Sequence, residues 1–482
     1  MSPKLRGRRI ATLVVFLCAI FYLHSSAPAS LPGPLKPTVG IPLHDQLTSD
    51  AGSPSVSDGI QSLWGYWSDI FYDDRPGTPH IVLRGTARAV SLSSDDVGPR
   101  QPSTNRVINP EIDIEQLRAS HAALLETLQS EAVVGDMFNG TGVVILGGGE
   151  YFGPAIIGLH MLRKTGSALP VEIFVANMRE YEPGICEDYL PRYGARCLVL
   201  SHFLGNGTAS QVFGVTHYQL KSLALLFSSF AEILYLDSDS IPLVDPSTEL
   251  FSTEPYKSSG LVIWPDFWVS TESPLFYIIA GLPAFPPDLP KSASESGQLL
   301  INKRTHLKTL LLSVYYNIYG PEYYYPLLSQ GALGEGDKET FMAAALVAAE
   351  PYYRVKTGVT AVGRHNGRQF MSTGMVQHHP LDDLLRTGTN DTVVRPAFLH
   401  SNTPKMNAGH LVDEGDLFAV DKKRLRLWGS LEDQEKRFGY DLEKVVWELL
   451  VKTGCELEKV IREWKGRRRM CGRLEEHWQA VF

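Results

Sequence analysis

The sequence is poor in cysteine, short of positive charge and free of internal repeats. It has five cysteines in 482 residues, and no pair has the spacing of a zinc site. No unit of roughly 20–50 residues recurs, which excludes solenoids and propellers. The formal net charge is −8, which argues against nucleic acid as the main partner. Long hydrophobic runs are also scarce. The one that stands out runs from Ile10 to Leu23, short for a spanning helix, which needs about 20 residues. What is present is ample apolar material. With 44% hydrophobic and 20% charged residues, the chain can bury a large core in two or three domains, or in one large domain with appendages.

Lys4, Arg6, Arg8 and Arg9 precede the Ile10 run. This fits the core of a cleaved signal peptide, but Pro28 makes Ala27-Pro28-Ala29 a poor cleavage site. The favoured reading is a type II signal anchor over 10–27, tolerated by a thin secretory-pathway bilayer. The basic flank then places residues 1–9 in the cytoplasm and the rest in the lumen. Residues 28–110 are rich in Ser, Pro, Gly and Asp and read as a flexible lumenal stem. An aromatic island, Leu63-Trp64-Gly65-Tyr66-Trp67, interrupts it. Asn139, Asn206 and Asn390 open N-glycosylation acceptor triplets. Cys18 lies in the apolar run. The other cysteines form two local pairs, Cys186 with Cys197 and Cys455 with Cys471. They are read as disulfides of an oxidising lumen, with four buried thiols as the alternative.

From Glu111 the composition becomes globular. Apolar spacing predicts a helix over 114–134. Strands are expected over 142–146, 171–176, 196–200 and 233–236, with helices over 154–164, 183–193 and 218–230 between them. This alternation implies an α/β fold with a mainly parallel, Rossmann-like sheet flanked by helices. Ligands then sit at the carboxyl ends of the strands. Gly147-Gly148-Gly149 follows the first strand. It is not a G-x-G-x-x-G, and it reads equally as a nucleotide-facing turn or a plain tight turn.

The strand over 233–236 runs straight into Asp237-Ser238-Asp239. Two carboxylates one residue apart at a buried strand end are costly to keep charged without a cation. Hard oxygen ligands suit Mg²⁺ or Mn²⁺, and such an ion in turn grips a diphosphate. The triplet alone would pass for a solvated turn. The apolar strand before it and Ile241-Pro242 after it favour a metal.

Further on, Trp264-Pro265-Asp266-Phe267-Trp268 offers aromatic faces beside a carboxylate, which suits a sugar ring, though the same residues could fill core. Glu295-Ser296-Gly297-Gln298 opens another apolar segment. Residues 331–340 are a polar stretch with three glycines, ahead of a helix over 341–349 capped by Thr340 or Asp337. Asp337 and Glu339 could orient hydroxyls or act as acid or base, the alternative being a simple capped loop. His400 ends a short strand, with Lys405 five residues later. These two are candidates for a third metal ligand and a phosphate cation, or else for a structural histidine and its neighbour. Lys221 precedes the acidic strand and faces either a nucleotide or solvent. Residues 421–482 read as helical, and Arg467-Arg468-Arg469 as a solvated or dipole-complementing face.

In order, Ile233 to Pro242, Trp264 to Trp268, Glu295 to Gln298 and Gly336 to Phe341 resemble the fungal Golgi α-mannosyltransferases that build outer-chain mannan. The resemblance covers roughly residues 140–410. It implies a GT-A-like catalytic domain over 111–482, GDP-mannose as donor, Mn²⁺ as cofactor and retention of anomeric configuration. Asp237 and Asp239 match the family's D-x-D, while His400 enters by analogy with other GT-A enzymes. The roles then expected are metal ligation by Asp237, Asp239 and His400, and nucleotide contact by Lys221, Lys405 and Asp237. Trp264, Asp266, Trp268 and Gln298 would meet the sugars, and Asp337, Glu339 and Glu295 would take part in catalysis. The expected activity is α-1,2-mannosyl transfer to glycoprotein glycans at the Golgi membrane, with other Golgi mannosyltransferases as candidate complex partners. An α-1,3 linkage, a UDP-sugar donor and a non-catalytic mannan-binding lectin are the alternatives. The intact acidic pair speaks against the last.

Overall fold

The computed structural model describes residues 56–482 apart from 93–99, 132–134, 206–213, 283–284, 287, 367, 387–392, 414, 416 and 420–421. The expected cytoplasmic tail and anchor, Cys18, Asn206 and Asn390 lie outside the described residues. Among those described, no helix is long and apolar enough to cross a membrane.

Four strands, β1 (Thr141–Leu146), β2 (Val171–Val175), β3 (Ala195–Val199) and β4 (Glu232–Leu236), lie parallel in the order β3-β2-β1-β4. The later strands are β5 (Ser240–Pro242), β6 (Leu261–Val269), β7 (Ser292–Asn302), β8 (Tyr353–Arg354), β9 (Thr360–Asn366), β10 (Gln369–His378) and β11 (Pro396–His400). β7 packs antiparallel between β4 and β6, and β8 joins β6 in parallel, which completes a seven-stranded sheet. The α/β reading and the parallel half are as expected from sequence. The antiparallel half is an addition. β6 and β7 are buried on both faces over most of their length, and β-bulges break their register. Neither leaves a period-two pattern to read. A second, antiparallel sheet has the order β5-β11-β10-β9.

Alternation along β4 divides the interior. Ile233 and Tyr235 enter one apolar layer, and Leu234 and Leu236 the other. The first layer holds the helices Gln219–Phe227 and Lys303–Ile318. The second holds the helices Phe152–Lys164 and Leu442–Leu457 together with the small sheet. Each of these strand side chains is wholly buried, a contribution of about 1.5–3 kcal/mol apiece. Lys303 fixes the entry to β4. Its buried ammonium donates to the carbonyls of Leu225, Leu226 and Ser228 at 3.1, 3.3 and 2.6 Å, closing the end of the preceding helix.

The stem expected over 28–110 needs correction. Residues 56–73 form a helix whose Ile60, Trp64, Trp67 and Phe71 make one buried stripe. Trp64 meets Phe227 edge-on at 5.4 Å. The hydroxyls of Tyr319, Tyr315 and Tyr323 each donate at 2.7 Å to the carbonyls of Phe71, Asp74 and Thr78. The aromatic island is therefore core, and the described part of the stem is an arm of the globular domain. Smaller differences follow the same logic. Residues 184–193 make a π turn and a 3₁₀ turn rather than an α-helix. Glu339, not Thr340 or Asp337, sits at the N-cap of the helix Thr340–Ala348. The C-terminal region does fold as helices, Leu431–Phe438, Leu442–Leu457 and Met470–Val481. Both cysteine pairs, Cys186–Cys197 and Cys455–Cys471, are disulfides.

Candidate functional site

At the end of β4 the chain turns through Asp237-Ser238-Asp239 into β5. Backbone bonds fix this turn on three sides. Asp237 N–H donates to Gly297 O on β7 at 2.8 Å, Ser240 N–H to Asp237 O at 2.9 Å, and Ser401 N–H to Asp239 O at 2.9 Å. The pairing of β5 with β11 sets Ser240 opposite His400, which brings the imidazole back to the acidic turn.

Asp239 is the inner carboxylate, its side chain 3% exposed, with His400 Nε2 at 3.2 Å from Oδ1. The Lys405 ammonium pairs with its other oxygen. Burial opposes charge on Asp239, but Lys405 and His400 outweigh it and hold the carboxyl well below the usual range. His400 is held conversely above the usual range, Asp239 and Glu295 outweighing burial. Asp237 is the outer carboxylate, 29% exposed. It accepts the Tyr235 hydroxyl at 2.6 Å and lies 3.3 Å from Lys221 Nζ.

Lys221 does not face a phosphate. Its buried ammonium reaches Ser296 O at 2.9 Å, Ser296 Oγ at 2.8 Å and Asp337 Oδ2 at 2.9 Å. An ammonium has three donors, so its hydrogen bonds are met within the protein. The expected nucleotide contact is replaced by a brace between Asp237 and the 331–340 loop. Burial lowers the Lys221 pKa, but Asp237 and Asp337 outweigh it and carry it above the usual value. Asp337 is itself raised by burial, against the pull of Lys221. Glu295 lies across from His400, its Oε1 3.5 Å from Nδ1. Burial opposes its charge, yet His400, Lys221 and the Gly297 N–H at 2.7 Å bring it down to about 2.

The remaining expected residues lie elsewhere. Trp264 is wholly buried, its indole N–H on His378 O at 2.8 Å and its ring edge-on to Phe398. No face is free for a sugar, because β6 is interior at that point. Asp266 is buried and paired with Lys338 at 2.8 Å. Gln298 is wholly buried beneath the turn, with Oε1 3.5 Å from Ser240 Oγ and Nε2 unpartnered. Glu339 belongs to a different cluster. Oε1 accepts Ser294 N–H at 2.8 Å while Oε2 is buried without a partner. Burial and the nearby Glu272, against Arg100, push Glu339 up to about 7. It lines a small cavity of ≈ 10 Å³ with Trp268, Lys338 and Thr271, room for about one water.

Four contributors have no role assigned from sequence. Tyr235 stands two residues before Asp237, so strand alternation alone puts both on one face. Ser296 and Gly297 sit inside the Glu295 to Gln298 stretch and hold Lys221 and Asp237. Tyr151 follows the glycine turn after β1. Its half-exposed ring lies 5.6 Å from Lys405 Nζ, at the edge of the cluster.

Asp237, Asp239 and His400 could together hold a divalent metal, since their ligand atoms all lie within 4.8 Å of one another. Two carboxylates and an imidazole suit a hard or borderline ion such as Mg²⁺ or Mn²⁺. The cations now on Asp239 attest to its negative field.

Comparison with known proteins gives this site its setting. A family model described as "Mannosyltransferase putative" matches residues 140–288 and 283–379. Alpha-1,2-mannosyltransferase MNN21 of Candida albicans is 33% identical over 453 residues, covering 79% of this chain and 68% of the relative. MNN23 of the same organism is 33% identical over 473 residues, covering 80% and 77%. Alpha-1,2-mannosyltransferase MNN2 of Saccharomyces cerevisiae is 38% identical over 304 residues, covering 56% of this chain and 51% of the relative. Among solved structures, the galactosyltransferase LgtC with donor and acceptor sugar analogs aligns at 13% identity. That alignment covers 44% of this chain and 73% of LgtC, with a TM-score of 0.28. The chain belongs to this family of mannosyltransferases.

Proposed function

We propose that the chain transfers mannose from GDP-mannose to a mannose residue of a glycan, forming an α-1,2 linkage with retention of configuration. The observation that carries the reading is the meeting of Asp237, Asp239 and His400 at the carboxyl end of β4. Family membership supplies the sugar, and the names of the curated relatives supply the linkage. Asp237, Asp239 and His400 are the residues that would hold Mn²⁺, which supplies a Lewis acid that neutralises charge on the leaving diphosphate. Asp237 presents the exposed edge of the cluster, and Tyr235 and Lys221 keep its carboxylate in place. Lys405 reaches the same cluster on a half-exposed side chain, 40% accessible, with an ammonium suited to a phosphate oxygen. Tyr151 offers a half-exposed ring beside it, suited to the apolar face of a nucleoside or sugar.

The basic flank before Ile10 supports a single-pass type II anchor in the Golgi membrane with a lumenal catalytic domain. Two disulfides support an oxidising compartment. The test is incubation of the purified chain with GDP-mannose, Mn²⁺ and a short α-mannoside, with the product linkage read by NMR. An α-1,2-linked mannose is expected. Transfer from UDP-galactose or UDP-glucose instead overturns the donor, an α-1,3 product overturns the linkage, and mannan binding without nucleotide release makes the chain a lectin.

A further inference from the structure

The sequence pattern puts Glu295 among the catalytic candidates, but its surroundings give it another task. Its carboxylate is 12% exposed. Oε1 accepts the Gly297 N–H at 2.7 Å and faces His400 Nδ1 at 3.5 Å. Nδ1 is buried and makes no hydrogen bond, so its contact with Glu295 is an ion pair at 3.5 Å. The opposite nitrogen, Nε2, points to Asp239 at 3.2 Å. The ring is therefore clasped between one carboxylate inside the proposed metal set and one outside it.

Gly297 makes this clasp sterically possible. A Cβ there would lie 2.7 Å from both Cε1 and Nδ1 of the His400 ring, and 2.9 Å from Glu295 Oε1. Any side chain would push the imidazole off β7. A neutral imidazole donates from one nitrogen and accepts at the other, and the hydrogen bond at one fixes the role of the other. A carboxylate that holds Nδ1–H would leave the Nε2 lone pair for a metal once that metal displaces the proton Nε2 shares with Asp239.

We infer that Glu295 is a positioning residue that holds His400 Nδ1–H and so aims Nε2 at the metal, with Gly297 clearing the space for the ring. This deepens the metal reading of the site and rests on it. The experiment measures Mn²⁺ binding to the full chain without nucleotide, by electron paramagnetic resonance, for wild type, Glu295→Gln and Gly297→Ala. Each variant is expected to bind Mn²⁺ ~10–100-fold more weakly while keeping a cooperative thermal transition. Mannose transfer by Glu295→Gln is expected to recover as Mn²⁺ is raised. Gly297→Ala keeps the carboxylate and tests the same arrangement through the ring, should Glu295→Gln fold poorly. Wild-type Mn²⁺ affinity in Glu295→Gln, with transfer lost at every Mn²⁺ concentration, overturns the inference and makes Glu295 a group that touches substrate. Failure of the wild type itself to bind Mn²⁺ removes the metal reading, a separate outcome.

Discussion

Glu339 offers a measurable consequence of burial. Its carboxyl is 1% exposed, one oxygen accepts Ser294 N–H, and the other has no partner. Its pKa stands at about 7 in the fold against 4.5 in the unfolded chain, burial being the main cause. The folded state thus keeps a proton that the unfolded state releases above pH 4.5. Its contribution to stability is whole below that pH and declines as pH rises through about 7. At about 1.4 kcal/mol per pH unit the loss approaches ~3 kcal/mol. Glutamine keeps the Ser294 acceptor and replaces the buried second oxygen with an uncharged amide. Glu339→Gln should therefore be close to neutral at pH 5 and more stable than wild type at pH 8, by up to ~3 kcal/mol. Urea unfolding of both proteins at the two pH values checks this. Glu443 also stands at about 7, but it titrates in both proteins and cancels in the comparison. Equal destabilisation of the variant at both pH values would refute the argument, because Oε2 would then have to be making an interaction that the structure lacks.

Other predictions follow from the same geometry. Asp239→Ala should lower Mn²⁺-dependent mannose transfer at least ~100-fold, the scale of losing a main electrostatic element, as read in a radiolabel transfer assay. His400→Ala should raise the Mn²⁺ concentration needed for half-maximal transfer, and an unchanged requirement removes His400 from the ligand set. Trp67→Ala empties a site 2% exposed and should cost ~3–5 kcal/mol in chemical denaturation. Replacing Cys455 and Cys471 together by serine opens a 16-residue loop and should cost ~2–4 kcal/mol, visible as a lower Tm.

The parts legible in sequence share a local cause. β1 to β4 are buried runs bounded by turns, and the helices between them keep apolar periodicity, so the parallel half of the sheet shows in the chain. The acidic turn shows for the same reason, because it follows directly on the buried run Ile233 to Leu236. What stayed hidden depends on distant partners. The helix Val56–Asp73 carries its apolar stripe inside a Ser- and Pro-rich region, and only Phe227 and the Tyr315 to Tyr323 hydroxyls reveal it as core. Trp264 and Trp268 look alike in sequence and share β6, but one is buried against Phe398 while the other lines a cavity. Lys221 reads as a phosphate cation until Ser296 and Asp337, 75 and more residues away, are seen to occupy it.

The small sheet explains how His400 comes to stand beside Asp239, 161 positions earlier in the chain. After the acidic turn, Ser240, Ile241 and Pro242 pair directly with His400, Leu399 and Phe398. The edge of that pairing is closed by Ser401 N–H on Asp239 O. Ile241, Phe398 and Leu399 enter the apolar layer beneath the larger sheet, so the register that brings the imidazole to the carboxylate is the one that buries them. A slip of one residue would exchange the faces of Phe398 and Leu399, which differ in shape, and carry His400 to the face away from Asp239. Placement of the third ligand is therefore enforced by core packing rather than by the site itself. It follows that polar substitution of Phe398, which touches none of the three ligands, should weaken Mn²⁺ binding together with stability, whereas Asp237→Asn, which keeps an acceptor for Tyr235, should weaken Mn²⁺ binding by more than it lowers stability.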